Sequence, residues 1–450
     1  MRPKNLARIL FIASLGLAAS VPARAQTPSE TAAPSLGINA GGKLADPEPA
    51  NQAGFPHDLY RWVLPEDNLE RPPAKIALGR ALFFDRRLSA DDKESCSTCH
   101  DPQKGFTDQL PTSMGIHNQF GKRNAPTIVN ANFNILQFWD GREPTLEQQA
   151  KRPILNPIEM GMPDEKTVVD KLRAAPEYQK AFVEVFGHPP NYDDMVKAIA
   201  SFERTQVAFD SPFDKFMAGD EKALTEQQQR GWSIFNGKGR CMSCHGVNPV
   251  QPMFSDNRFH NIGVSAHNKD FVGLARNGLK IIAEGGNANE QIDKLAIQTD
   301  MSELGRFLVT KQPHDIGAFR TMGLRNLLVT EPYFHDGSQA TLWDTIDHYN
   351  KGGVQNPYLD GGIVPLGLSE PEIDDLVAFL KSLTSPRYAD AAEHEYAAQA
   401  ARSKTDRPQR DVDAAMGLKG RNDPNLSGPF GDIGPEQDQM KENPALLGGD

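Results

Sequence analysis

Cys96-Ser97-Thr98-Cys99-His100 decides how this chain is read, and a second copy, Cys241-Met242-Ser243-Cys244-His245, follows it. Cys-x-x-Cys-His is the attachment signature of a c-type haem. Its two thiols add across the haem vinyl groups, and the histidine supplies the proximal nitrogen to iron. The chain has 4 cysteines, and these two stretches use all of them. The competing readings are a zinc site, a redox Cys-x-x-Cys pair, or two disulfides. Zinc would usually spread its Cys and His ligands more widely, and a redox pair needs no histidine after the second thiol. Cys96, Cys99 and His100 therefore read as one covalent haem site, and Cys241, Cys244 and His245 as a second.

Helical patterning runs through Lys75–Phe84, ahead of the first motif, and through Gln229–Phe235, ahead of the second. Gly79, Leu82 and Phe83 match Gly231, Ile234 and Phe235 in spacing. Each half also closes with an amphipathic helix. Met195, Val196, Ile199 and Phe202 share one face in the first, and Ile373, Leu376, Val377, Leu380 and Leu383 in the second. The unit of helix, haem motif, loops and closing helix thus occurs twice, a weak internal repeat. It resembles the class I cytochrome c fold, and no convincing run of strands appears. The expected architecture is mostly α, with two haem domains at 56–210 and 211–386.

The 450 residues are 38% hydrophobic and 24% charged, ordinary for a soluble globular protein. Arg2, Lys4 and Arg8 precede the apolar run Ile9–Val21 and then Ala23-Arg24-Ala25. Residues 1–25 read as a secretory signal peptide. An uncleaved anchor is the competing reading, but the apolar run is short for a bilayer, so stable membrane insertion is not expected. Export to the periplasm agrees with the haems, which are attached outside the bacterial cytoplasm. Residues 26–55 read as a flexible leader. Residues 387–450 read as a polar, disordered tail in which 391–403 have the composition of a short Ala-rich helix. The formal charge of −11 argues against nucleic acid as a partner. It suits a basic redox partner, although a solubilising surface accounts for it equally well.

Two haems alone imply only electron transfer. Further stretches imply more: Leu78-Gly-Arg-Ala-Leu-Phe-Phe-Asp85, Phe106-Thr-Asp108, Arg123-Asn-Ala-Pro-Thr127, Gln137-Phe-Trp-Asp-Gly-Arg142 and Asn156-Pro-Ile-Glu-Met160. The second half adds Phe259-His-Asn-Ile-Gly263, Gly317-Ala-Phe-Arg320, Leu324-Arg-Asn326 and Pro332-Tyr-Phe-His-Asp-Gly337. Together, over about residues 56–385, these resemble the bacterial dihaem cytochrome c peroxidase and MauG family.

The resemblance implies a peroxidatic first haem with Glu159 on its distal side and Gln149 and Pro153 nearby. Peroxide cleavage needs a group that takes a proton from the near oxygen and delivers it to the far one, a role open to a carboxylate. The plainer reading of Glu159 is a helix-start carboxylate after Pro157. Trp139 matches the tryptophan between the haems, and is otherwise a core residue. Asn124, Thr330 and Pro332 match a calcium site between the domains, the last two through backbone carbonyls, as hard cations prefer oxygen; simple interface packing is the alternative.

The second haem sets the subtype. The family's sixth ligand lies fourteen residues beyond the His335 position, which gives Tyr349. Members with Met there are cytochrome c peroxidases proper, and MauG-like members have Tyr. Met raises the haem potential, whereas a phenolate should lower it. His348 competes but reads as a helix-surface histidine; Met242, Met253 and Met322 read as packing or loop residues. For His117 two readings stay open, a resting-state ligand of the first haem iron or a surface loop histidine. His260 and His335 read as hydrogen-bonding to haem or backbone.

The leading expectation is an exported MauG-like dihaem peroxidase that consumes hydrogen peroxide. It draws electrons through the second haem from a cytochrome c, another periplasmic redox protein, or a protein substrate. A cytochrome c peroxidase proper is the alternative, distinguished by a need for prior one-electron reduction. A non-catalytic dihaem electron carrier is the third reading. The resemblance leaves room for a homodimer.

Overall fold

Glycine 79 sits where two helices come closest. In the computed structural model, which describes residues 72–247, 252–266, 270–284, 292, 294–297 and 299–415, helix α1 (Pro73–Phe83) starts with a proline in its first turn. Proline suits that position because its missing N–H would be unsatisfied anyway. A Cβ on Gly79 would overlap the Ala198 carbonyl oxygen of a later helix, Tyr192–Glu203. The second half repeats the device. A Cβ on Gly231, in the helix Glu226–Asn236, would overlap the Asp375 carbonyl oxygen in Glu370–Lys381. Each half is thus built on a first helix and a last helix whose backbones touch, and only glycine permits that approach.

Between these pairs, in chain order, run the haem-motif turn α2 (Cys96–Cys99), α3 (Leu146–Leu155), α4 (Glu165–Ala174) and α5 (Pro176–Phe186). The Tyr192–Glu203 helix is α6, followed by α7 (Pro212–Met217) and the Glu226–Asn236 helix, α8. Strand β1 (Phe259–His260) precedes α9 (Phe271–Glu284), α10 (Phe307–Thr310) and β2 (Phe319–Arg320). Last come α11 (Leu342–Asn350), the Glu370–Lys381 helix α12, and α13 (Ala389–Ala415). β1 and β2 pair antiparallel, Phe259 opposite Arg320, and are the only named strands among the described residues. The mostly helical expectation holds.

Local signals account for the helix ends. Thr225 and Gln228 form a capping box at α8, as do Ser369 and Glu372 at α12, each satisfying orphan N–H groups. The predicted faces are buried: Met195, Val196, Ile199 and Phe202 on α6, and Ile373, Leu376 and Leu380 on α12. Phe83 meets Phe106 and Phe202 in the first half. Phe213, Trp232, Phe235, Phe254 and Phe379 cluster in the second. A smaller core lies under α9 and α10, around Leu295, Leu304, Phe307 and Leu308.

The C-terminal segment departs from the disordered tail expected for 387–450. α13 runs from Ala389 to Ala415, well past the 391–403 that alanine content suggested, and Ala392, Gln399 and Ser403 on it are buried. Composition understated its docking because two of the buried residues, Gln399 and Ser403, are polar. The signal peptide, the whole leader, the first residues of the expected first domain (56–71) and residues 416–450 lie outside the described residues. No described helix is long and apolar enough to cross a membrane.

Candidate functional site

The two Cys-x-x-Cys-His turns have the same internal geometry. The His100 amide donates to the Cys96 carbonyl at 3.0 Å, and the His245 amide to the Cys241 carbonyl at 2.8 Å. No disulfide joins any of the four cysteines, which speaks against the two-disulfide reading. Burial pushes the Cys99 and Cys241 thiols up to about 12. His100 Nδ1 pairs with the Phe106 carbonyl at 3.2 Å, and His245 Nδ1 with the Phe254 carbonyl at 2.8 Å. With Nδ1 donating to a carbonyl, each imidazole is fixed in the tautomer that offers Nε2 to a metal. Burial lowers the pKa of both rings, keeping them neutral. Phe106 and Phe254 both sit at positive φ (59° and 56°), a costly conformation for a bulky residue. Their rings are locked in the two aromatic cores, so packing in each half aims a carbonyl at the histidine. This donor set fits a covalent haem at each turn.

Around the first turn, Glu159 belongs to a turn after Pro157 rather than the helix start its sequence suggested. After burial and the Asp108 charge, its charge also raises the Cys99 thiol, so the carboxylate lies within electrostatic reach of the first site. Pro153 is inside α3, and its carbonyl accepts from the Met160 amide at 3.2 Å, tying that helix to Glu159's neighbour. Gln149 lies one turn earlier on α3, half-buried. His117 is exposed, at φ 56°. Its neighbour Ile116 is buried and donates its amide to the Glu159 carbonyl at 3.0 Å.

Around the second turn, Tyr349 on α11 is half-buried, and its phenol is raised by burial and by the thiols of Cys244 and Cys241. The phenol therefore lies within electrostatic reach of the second haem motif. His348 is not the surface histidine expected: its Nε2 pairs with the Ile262 carbonyl at 2.8 Å. Met322 Sδ is engaged by Arg320 at 3.1 Å. His260 and His335 bond to side chains rather than to backbone. His260 is held between Asp360 (2.6 Å) and Asp256 (3.1 Å); contact with Cys244, then Asp360 and Asp256, raises it to about 10. His335 Nε2 meets Glu303 at 3.0 Å and Ser265 at 3.2 Å. Asp256 is four residues from His260, but Asp360 and Glu303 lie 100 and 32 residues from their histidines, so no local pattern announces them.

Trp139 lies between the halves. Its indole N–H donates to the Asn124 carbonyl at 2.9 Å, and its ring meets His335 edge-on at 6.3 Å. A repeat missed in the sequence organises this region. Residues 121–146 align without a gap on 317–342, sharing Asn130/Asn326, Phe138/Phe334, Asp140-Gly141/Asp336-Gly337 and Thr145-Leu146/Thr341-Leu342. The paired Asn, Phe and Gly residues have the same positive φ within a few degrees, and Thr145 and Thr341 cap α3 and α11. Trp139 and His335 are thus counterparts. The contacts between them are reciprocal: the Asn124 amide donates to the His335 carbonyl at 2.7 Å, and the Arg320 amide to the Trp139 carbonyl at 2.8 Å. The Phe-x-Asp-Gly then Thr-Leu spacing was the signal that could have revealed it.

Of the expected calcium ligands, Asn124 is buried and uses its amide nitrogen on the Leu110 carbonyl at 2.9 Å. Among the described residues, no hydrogen bond runs to its Oδ1 or to the Thr330 and Pro332 carbonyls. These oxygens have the chemistry a hard cation takes.

Residues 73–222 match the family model described as di-haem cytochrome c peroxidase. The methylamine utilization protein MauG of Methylorubrum extorquens is 36% identical over 313 residues, covering 69% of this chain and 78% of that protein. Cytochrome c551 peroxidase of Pseudomonas aeruginosa is 38% identical over 311 residues, 68% and 78% of the two chains. The crystal structure of a MauG-like protein associated with microbial copper homeostasis superposes with a TM-score of 0.58 at 32% identity, covering 72% of this chain and 93% of that one. The chain belongs to the di-haem cytochrome c peroxidase and MauG family of oxidoreductases, and that membership implies two haems.

Proposed function

We propose that this protein is an exported dihaem peroxidase of MauG-like type, working in the periplasm, with peroxide reduced at the first site and electrons supplied through the second. Tyr349 carries the reading: the charges of Cys244 and Cys241 reach its phenol, and it stands at the chain position where a cytochrome c peroxidase proper would have methionine. An anionic oxygen ligand stabilises the ferric state, so the second centre would hold oxidising equivalents rather than wait for a cytochrome to prime it. The first haem, when bound, supplies the iron at which peroxide is reduced. Reduction takes two electrons and two protons and yields two waters. Glu159 is suited to move the proton, accepting it from one peroxide oxygen on a carboxylate oxygen and returning it to the other. Gln149 and Pro153 shape the wall beside it. Trp139 offers an aromatic group between the two centres. The donor is a redox protein or a protein substrate.

Each half is read as a cytochrome c-like domain, within 56–210 and 211–386. Asn124, Thr330 and Pro332 are read as ligands of a calcium ion that ties the halves together. The exposure of His117 supports an open first iron at rest.

One observation keeps a second reading in play. His117 follows Ile116, which is bonded to the Glu159 backbone, so a rearrangement of this loop would bring an imidazole to the first site. That would make the protein a peroxidase proper, blocked until reduced. Low-temperature electron paramagnetic resonance decides. The expected result is one high-spin and one low-spin ferric signal, both lost on stoichiometric peroxide. Two low-spin signals inert to peroxide, with reactivity gained after one-electron reduction, would establish the second reading.

A further inference from the structure

Among the described residues, Arg320 is a buried cation without a counter-ion. It is 4% exposed, and its guanidinium meets only neutral acceptors: Asn134 Oδ1 at 3.0 Å, the Phe138 carbonyl at 3.4 Å and Met322 Sδ at 3.1 Å. No carboxylate pairs with it among the described residues. The other buried arginines are matched. Arg325 bonds both oxygens of Asp214 at 2.8 and 2.9 Å, and Arg123 and Arg142 share Asp140 at 2.6 and 3.1 Å. A charge taken out of water without an opposite charge is strongly unfavourable. Burial pushes the Arg320 guanidinium down to about 10, with nothing opposing it.

Its surroundings say where the missing anion enters. β2 sets Arg320 opposite Phe259, and the next residue, His260, lies within reach of the Cys244 sulfur. On the other side, Met322 both accepts from the guanidinium and lays its backbone against His245. The charge thus stands beside the turn that fixes the second haem. A haem attached there by its vinyl groups brings two propionate carboxylates. We propose that Arg320 is the built-in counter-ion of a propionate of the second haem, and that this pairing holds the potential of that haem up. Without the guanidinium the carboxylate faces the iron unopposed, which favours the ferric state. Arg320 is a positioning residue, and its amide bond to the Trp139 carbonyl links the same strand to the bridge between the halves.

The proposal rests on a second haem at Cys241 and Cys244. Midpoint potentials of both haems, read by spectroelectrochemistry in wild type, R320K, R320Q and N134A, test it. R320Q should shift the second haem's reduction equilibrium about tenfold toward the ferric form, about 59 mV for a one-electron couple, with the first haem unmoved. R320K should keep most of the wild-type value, and N134A, which removes a neutral acceptor, should not move it. An unchanged second potential in R320Q overturns the proposal, as does an equal shift in N134A, which would assign the effect to the clamp rather than the charge. If R320Q does not accumulate, an experimental structure of the wild-type holoprotein decides, and no propionate oxygen within hydrogen-bonding distance of Arg320 sinks the pairing. Pyridine haemochrome counting separates the two failures: one haem per chain removes the underlying reading, whereas two haems with an unmoved potential remove this proposal alone.

Discussion

Two carboxyl groups, the half-buried Glu159 and the buried Glu203, do different work near the first site. Glu159 is held by its backbone, through the Ile116 amide, while its side chain lies near Cys99. Its substitution should therefore remove chemistry without removing structure. Glu159→Gln is expected to lower kcat by about two to four orders of magnitude, the usual worth of a positioned acid–base group, with two haems per chain retained. Turnover near that of wild type would take Glu159 out of the mechanism. Glu203, at the end of α6, is 5% exposed, and burial pushes it up to about 8. Its unfolded value is about 4.3, so between roughly pH 4.3 and 8 the folded chain keeps a proton that the unfolded chain has lost. Stability then falls as pH rises through that window, by at most about 1.4 kcal/mol per unit, and levels off above it. Glu203→Gln keeps the shape without the proton. Denaturant unfolding at pH 5, 6.5 and 8 should show the variant gaining on wild type as pH rises, and parallel curves would contradict the assignment.

Among elements, the helix pairs α1/α6 and α8/α12 carry the fold, and each turns on one glycine. Gly79→Ala and Gly231→Ala would each drive a methyl into a backbone carbonyl of the partner helix. Neither carbonyl can yield without moving its helix, so each variant should lose at least about 1–3 kcal/mol, the usual cost of overpacking. Thermal unfolding with haem absorbance as the probe would show it, and wild-type melting in both variants would refute the reading. This level was largely legible in the sequence because glycine, Leu82 and Phe83 recur at a local spacing. The same holds for the haem turns, where five adjacent residues contain the whole ligand set. What stayed hidden depends on distance in the chain. Glu303 reaches His335, Asp360 reaches His260, and Arg320 meets no carboxylate among the described residues. No periodicity encodes such pairings. The repeat of 121–146 in 317–342 was hidden differently, because what the two copies share is mainly turn residues at positive φ and helix caps, with no helix or strand period to mark it.

At the scale of the whole molecule, the last described helix is a brace on the element that carries Tyr349. Gln399 Oε1 accepts from the Leu342 amide at 2.8 Å, an N–H of the first turn of α11 that has no partner within its own helix. Its other end, Nε2, donates to the Tyr333 hydroxyl at 3.0 Å, which in turn donates to the Leu327 carbonyl at 3.1 Å. Ser403 Oγ lies 3.1 Å from Thr341 Oγ1, the cap of α11. These groups are buried, and removing one partner of a buried hydrogen bond strands the other at about 1–3 kcal/mol. Gln399→Ala should therefore cost about that much, far more than a surface substitution on a polar helix. A chain ending at Tyr388 should lose more, and the loss should reach the second haem first, because α11 holds both the brace and Tyr349. A chain ending at Lys404 keeps every one of these contacts and should melt like the full chain. Thermal unfolding followed at the low-spin haem band, compared across the three variants, distinguishes a brace from a passive tail. Equal melting for the chains ending at 388 and 404 would make the helix a tail after all.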